Sequence, residues 1–321
     1  MDGKFIRVWR GYIEKSRSTR KQRQLFLWNY RLNKNRSILS AILIALCCFS
    51  SCSKPDLSEI KNLNNGIIYI IGHGGSGQVS LDNKLPQNSF KSITKSIEKL
   101  NADGVEVDVQ MSADNKLMLY HDNLLETGTF CSGCISSISA EELKECQYKS
   151  SGILNFSKEK LITLDEIMSR FSQRKVKPIV FLDTKIIAIC NEDNYSDVEK
   201  IMLKKIDLII NKYNAQTWVH VMSGSEEFLL QMQKLNPEVK LWLDGDFNRN
   251  IPIANSHGFY GVSGNSAAVT SEQISFAHDN GVYALLFGFK AQDGILSAIK
   301  KYPDYLQTDN IILTQQILLQ K

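Results

Sequence analysis

The sequence runs to 321 residues, 43% hydrophobic and 22% charged, enough apolar material for a full buried core, with no collagen-like or low-complexity stretch. Its formal charge is +4, but the first 37 residues hold eleven Lys or Arg against Asp2 and Glu14, and the remainder carries −5. The basicity belongs to the amino terminus, so the charge balance gives no argument for nucleic-acid binding.

Residues 38–51 are uncharged and largely apolar and lead to Cys52. A basic segment, a short apolar run and small residues before a cysteine have the form of a secretory signal. The run is too short for a comfortable transmembrane helix. Phe49-Ser-Ser-Cys52 resembles a bacterial lipoprotein signal, in which the cysteine becomes the lipidated first residue. Phe49 is an uncommon choice there and the basic segment is long, so plain secretion and an uncleaved anchor stand as alternatives. The expected organisation is a signal over 1–52, a polar flexible tether over 53–66 and a single folded domain over 67–321, exported to the bacterial cell envelope and anchored to the membrane through Cys52.

From residue 67 onward, short apolar runs alternate with helix-period segments, the pattern of a parallel α/β fold. In chain order the expected elements are strand 67–72, helix 89–100, strand 104–109, helix 164–172, strand 178–185 and helix 196–213. Strand 217–222, helix 226–235, strands 239–243 and 259–263, helix 271–280, strand 282–287, helix 294–301 and strand 305–307 follow. Thr163 and Ser271 are expected to cap the helices they precede or open. Eight strands with intervening helices favour a closed (β/α)8 TIM barrel over an open doubly wound sheet. His73, Glu106, Asp108, Asp183, Lys185, Ser223, Asp244, Ser263 and Asp309 all fall at or near carboxyl ends of these strands, where barrel enzymes build their sites.

Within Gly104-Val-Glu-Val-Asp-Val109, alternation puts Glu106 and Asp108 on one strand face and the valines on the other. Two carboxylates at that spacing can hold a hard divalent cation, and His121 follows in Leu-Tyr-His-Asp122. In Ile71-Gly-His-Gly-Gly75, His73 sits among glycines that let a ligand approach the backbone. Pro86-Gln-Asn-Ser89 opens the first helix, with Asn88 and Ser89 as caps or anion contacts. Of the cysteines beyond Cys52, Cys131-Ser-Gly-Cys134 favours a small loop disulfide over a zinc knuckle, because no second ligand pair stands at the usual distance. Cys146 and Cys190 leave pairing with a more distant cysteine open. His220, His257 and His278 read as structural or solvated histidines, and Trp218 and Trp242 as packing.

Taken in order, His-Gly-Gly, Pro-Gln-Asn-Ser, Glu-Val-Asp, His-Asp, Asp-Thr-Lys and Thr308-Asp309-Asn310 resemble the glycerophosphodiester phosphodiesterase family over roughly residues 67–313. The family pattern runs His-Arg-Gly, Pro-Glu-Asn-Thr, Glu-x-Asp, His-Asp, Glu-x-Lys and Thr-Asp-x-Pro. The resemblance implies a metal-dependent hydrolase that splits a glycerophosphodiester, a small-molecule substrate, into an alcohol and glycerol 3-phosphate. It implies His73 and His121 as catalytic acid and base, Glu106, Asp108 and Asp183 as ligands of Ca²⁺ or Mg²⁺, and Lys185 as the residue that offsets phosphate charge.

The departures bear on the activity. Gly74 stands where relatives have Arg, Gln87 where they have Glu, and Asp183 where they usually have Glu; Phe287-Gly-Phe289 replaces a Trp-Thr-Val-Asn segment. Losing an Arg and a Glu together suggests one vanished ion pair. The competing readings are a catalytically impaired binding protein of the same fold and a phospholipase C-like lyase that stops at a cyclic phosphate.

Overall fold

A computed structural model of the chain describes residues 60–80, 83–149, 158–185 and 195–319. The expected signal with Cys52, the start of the tether and Cys190 lie outside the described residues. Among those described, no helix is long and apolar enough to cross a membrane.

The strands in chain order are β1 (Tyr69–Gly72), β2 (Gly104–Met111), β3 (Leu117–Leu119), β4 (Ile162–Thr163), β5 (Ile179–Thr184), β6 (Val219–Ser223), β7 (Lys240–Asp244), β8 (Gly261–Asn265), β9 (Tyr283–Phe287) and β10 (Tyr305–Thr308). Eight of them, β1, β2 and β5 to β10, pair parallel in a ring. It closes where β1 pairs both β10, with Tyr69 opposite Tyr305, and β2, with Ile71 opposite Gly104. The result is the expected TIM barrel.

The period-2 reading of β2 holds: all eight residues are buried, as a strand covered on both faces must be. Val105, Val107 and Val109 join the large core between strands and helices, packed with residues such as Ile93, Phe171, Ile206 and Phe228. A separate cluster fills the barrel's interior with Ile71, Phe181, Met222, Trp242, Leu285 and Tyr305. His220 is buried there and accepts a 3.1 Å hydrogen bond from the Trp242 indole at Nδ1. Burial, with a smaller contribution from the Lys240 charge, holds its pKa well below the ordinary histidine value, so it is a neutral structural group.

The helices alternate with the strands and begin where local chemistry dictates. Thr163 forms a capping box with Glu166 at the start of Leu164–Ser172. For Ser271–Asp279 the cap is Thr270, boxed with Gln273, one residue before the expected Ser271. Two helices of the barrel's outer layer are not evident from the sequence pattern. Phe247–His257 carries Pro252 in its interior, which disguises a helix that buries Phe247, Ile251 and Ala254; Ile311–Leu318 is short and capped by Asn310.

Residues 60–66, expected as the end of the tether, form a hydrogen-bonded turn instead. The Asn62 amide donates to Ile67 O and Pro303 O, and Leu63 N donates to the buried Asp304 carboxylate. Asp304 also pairs with His278, and His257 pairs with Glu226, so both histidines have carboxylate partners that their sequence neighbours did not suggest.

The main elaboration of the barrel follows β2. β3 pairs antiparallel with β2, and β4 antiparallel with β3. The described residues between β3 and β4 form a lobe with its own core of Met118, Tyr120, Leu125, Ile135, Leu143, Cys146, Tyr148 and Leu161. Here the disulfide expectation is corrected: Cys131 bonds Cys146, and Cys134 is disulfide-bonded but not to Cys131. Thr129 bridges Tyr148 and Phe130 N donates to Gln147 O. That pairing sets the Cα atoms of Cys131 and Cys146 5.7 Å apart, the span a disulfide needs.

Candidate functional site

At the carboxyl ends of β2 and β5, Glu106, Asp108 and Asp183 bring carboxylate oxygens within 4.8 Å of one another. The registers explain the convergence: Asp108 lies opposite Asp183, and both point to the barrel mouth because their neighbours are committed to the outer core. Glu106 is almost fully buried. Its Oε2 accepts from Gly74 N at 2.9 Å and from the Gln307 amide at 3.3 Å, while its Oε1 has no hydrogen-bond donor. Gln307 Oε1 is likewise buried and unpaired. Three carboxylates, one with an orphaned oxygen, and the orphaned oxygen of Gln307 form an all-oxygen donor set suited to a hard cation, since buried acceptors otherwise require donors.

The electrostatics agree. Burial, reinforced by the charge of Asp108, pushes Glu106 up to about 8 against the opposing influence of His73. Burial also raises Asp183 to about 6, although Lys185 works to lower it. Lys185 Nζ donates to Asp183 Oδ2 at 2.6 Å and lies 3.2 Å from Asp108 Oδ1. Burial opposes its charge, yet the two carboxylates hold its pKa above the ordinary lysine range. Asp108 is fixed from the other side by Asn88, which donates to Oδ2 at 2.7 Å and accepts from Asp108 N at 3.0 Å. Asn88 adopts φ +61°, a left-handed conformation that asparagine tolerates.

His73, on the turn after β1, has Nδ1 3.0 Å from Asp309 Oδ1, just beyond β10. Burial alone would lower its pKa. The Asp309 hydrogen bond and the charges of Glu106, Asp309 and Asp108 outweigh burial and raise it to about 9. His121 is placed differently. It is exposed, with Nδ1 3.0 Å from Asp122 Oδ1, outside the buried cluster. It nonetheless shares with His73 a cleft of about 290 Å³, also lined by Gln87, Asn88, Tyr120 and Tyr148. The two histidines thus have matching Nδ1-to-carboxylate contacts, which leave both Nε2 atoms available for proton transfer.

Positions 74 and 87, the paired departures, are adjacent in space. Gly74 has φ +54°, and a Cβ placed on it would come 2.6 Å from the Cβ of Gln87. Gln87 donates to the His73 carbonyl at 3.2 Å. From the sequence, Asn88 is expected only as a cap or anion contact and Asp309 only as a polar residue at a strand's carboxyl end, and Gln307 has no expected role. Gln307 and Asp309 repeat the i, i+2 spacing of Glu106 and Asp108, which was the available signal.

The sequence model of the glycerophosphoryl diester phosphodiesterase family matches residues 74–313. A glycerophosphodiester phosphodiesterase of Caldanaerobacter subterraneus subsp. tengcongensis is 24% identical over 54% of this chain, and the match spans 65% of that relative's length. One from Bacillus subtilis is 24% identical over 65% of this chain and 70% of its own. Among solved structures, a glycerophosphodiester phosphodiesterase of Parabacteroides distasonis superposes with TM-score 0.65 at 20% identity, covering 79% of this chain and 97% of its own. A phosphodiesterase of Oleispira antarctica, solved with the product sn-glycerol-3-phosphate, gives 0.64 at 19% identity, covering 78% and 96%. The structural likenesses establish the shared fold, and the match across 74–313 establishes more: the chain belongs to the glycerophosphoryl diester phosphodiesterase family.

Proposed function

We propose that the chain hydrolyses glycerophosphodiesters to an alcohol and glycerol 3-phosphate, using a divalent cation and the paired histidines His73 and His121. The observation that carries this reading is the buried three-carboxylate cluster with its unpaired Glu106 and Gln307 oxygens, set beside a histidine that Asp309 orients. Bound by Glu106, Asp108 and Asp183, Ca²⁺ or Mg²⁺ would offset the charge of the phosphodiester.

The remaining chemistry falls to the chain's own groups. One imidazole takes the proton of the neighbouring glycerol hydroxyl as that oxygen bonds phosphorus. The other gives a proton to the departing alkoxide as its P–O bond breaks, leaving a cyclic phosphate. Exchange of roles then lets water open the ring. Asp309 and Asp122 hold the two rings by Nδ1, so protons enter and leave at Nε2. Lys185, braced by Asp183 and Asp108, keeps a fixed positive charge beside the carboxylates. Export and lipid attachment at Cys52 belong to the same proposal, which labelled fatty acid tests directly: incorporation should vanish in Cys52→Ala.

Phosphorus NMR of the protein with mixed glycerophosphodiesters in Ca²⁺, in Mg²⁺ and in chelator tests the reaction. Glycerol 3-phosphate should accumulate only with metal, and neither His73→Ala nor His121→Ala should produce it. A persistent cyclic phosphate would make the protein a lyase, and intact substrate under every condition would sink the proposal.

A further inference from the structure

The cleft shared by His73 and His121 has a wall that the barrel does not supply. Gly128, Tyr148 and Lys149 come from the lobe between β3 and β4. Lys149 is the one lysine or arginine among the described residues lining that cleft. Beyond the His73 imidazole, the described residues of the opposite wall offer no lysine or arginine, because residue 74 is glycine and neutral Gln87 occupies the adjoining space. Lys185 is engaged by two carboxylates, Asp183 and Asp108.

Lys149 is exposed, but its backbone is braced. Its N donates to Gly128 O at 2.8 Å, Tyr148 N donates to Glu159 O at 2.9 Å, and the Cys131–Cys146 disulfide closes the loop just before it. Tyr148 is buried in the lobe core, so the chain leaves that core at a fixed point with Lys149 next. The Lys149 ammonium donates to the backbone carbonyl of Glu126, whose carboxylate accepts from Gly133 N and also feels the lysine's charge. A cation held at the rim of an anion-processing cleft by a neutral acceptor can exchange that acceptor for a phosphate oxygen.

Resting on the phosphodiesterase reading above, we propose that Lys149 is a substrate-recognition residue whose ammonium meets a non-bridging oxygen of the bound phosphodiester. The lobe thereby supplies the positive charge that position 74 lacks. Because the contact is to the phosphate common to all substrates, its effect is independent of the headgroup.

The test compares full-length protein carrying Lys149→Met or Lys149→Arg with Lys144→Met, a lysine on the same lobe outside the cleft. Steady-state kinetics on choline, glycerol and serine glycerophosphodiesters is paired with calorimetric binding of sn-glycerol 3-phosphate in Ca²⁺. Losing one charge-assisted hydrogen bond should raise KM roughly tenfold to a hundredfold for all three substrates with little change in kcat, and weaken glycerol 3-phosphate binding to match. Lys149→Arg should recover most of the loss, and Lys144→Met should behave as wild type. An unchanged KM, or a change confined to the serine diester, would overturn the assignment. If wild type binds glycerol 3-phosphate without turning any diester over, the catalytic reading fails alone and the Lys149→Met binding comparison still decides this one. If wild type neither turns over nor binds, both fall.

Discussion

His73 Nδ1 and Asp309 Oδ1 lie 3.0 Å apart, so the end of the last barrel strand orients the imidazole carried at the end of the first. The contact crosses the seam where β1 pairs β10, and barrel closure is therefore also the step that assembles this half of the site. The same Asp309 oxygen accepts from Gln78 N at 2.9 Å, which ties the turn after β1 to the carboxylate that positions its histidine.

Asp309→Asn should therefore injure catalysis without emptying the metal cluster. An amide cannot stabilise the imidazolium and can select the wrong tautomer, so kcat is expected to fall by roughly 10²–10⁴, as in other carboxylate-oriented histidines. With the hydrogen bond and charge of Asp309 removed, the His73 pKa drops from about 9. Imidazole NMR titration in chelator reads that shift, and Ca²⁺ calorimetry should show near-wild-type affinity. A wild-type kcat would show that Asp309 does not position the catalytic ring.

Stability in the absence of metal should fall as pH rises. Folding raises Glu106 from 4.5 to about 8 and Asp183 from 3.8 to about 6, so across that range the native state keeps protons that the unfolded chain releases. Their contribution is complete below the unfolded values and is lost as pH climbs through the folded ones. In chelator, Tm should decline as pH rises from 3.8 to about 8, less steeply in Glu106→Gln, which carries no charge to bury. Saturating Ca²⁺ should stabilise wild type, by about 2.7 kcal/mol at a hundred times Kd, and leave Glu106→Gln nearly unmoved. A variant that still gained full stabilisation would exclude Glu106 as a ligand.

The barrel and its carboxylates were legible because they rest on local periodicity. Alternation in β2 specifies at once the valines of the outer core and the acids of the mouth. The lobe was not legible, since its core is gathered from short helices and turns with no sustained period. The partner of Cys131 depended on a two-segment pairing fifteen residues apart, not on the nearby Cys134. Gln307 lacks ionisable chemistry, and its contact with Glu106 across the closed barrel, with its unpaired Oε1, gives it a place in the site. Pro252 hid a helix by a rule that tertiary packing of Ile251 and Ala254 overrides.

Removing the Cys131–Cys146 bond should loosen the lobe and spare the barrel. Closing a loop of this length stabilises by about 3 kcal/mol in the chain-entropy picture. The lobe core is a cluster separate from the main core, so that loss should appear as local opening. In a Cys131→Ser, Cys146→Ser variant, amide exchange across 124–149 should accelerate while β6 to β9 keep their protection. Equal acceleration in both regions would mean that the lobe is not an independent unit.

Gly74 and Gln87 should behave as a coupled pair. Residue 74 adopts φ +54°, and an added Cβ would stand 2.6 Å from the Cβ of Gln87, so Gly74→Ala meets both backbone strain and a clash. The left-handed conformation alone costs roughly 1–2 kcal/mol for a residue with a side chain. Gly74 N also donates to Glu106 Oε2 at 2.9 Å, so any shift of the turn disturbs a proposed metal ligand and should weaken Ca²⁺ binding. In Gln87→Gly, which removes the Cβ itself, the clash is gone and only the strain remains, so Gly74→Ala should be less destabilising there, with a coupling of roughly 0.5–3 kcal/mol between contacting positions. Urea unfolding of the two single variants and the double variant measures that difference. Strict additivity would mean that the Gly74 turn moves clear of Gln87, and the replacement of an Arg and a Glu at these positions would then be two separate events.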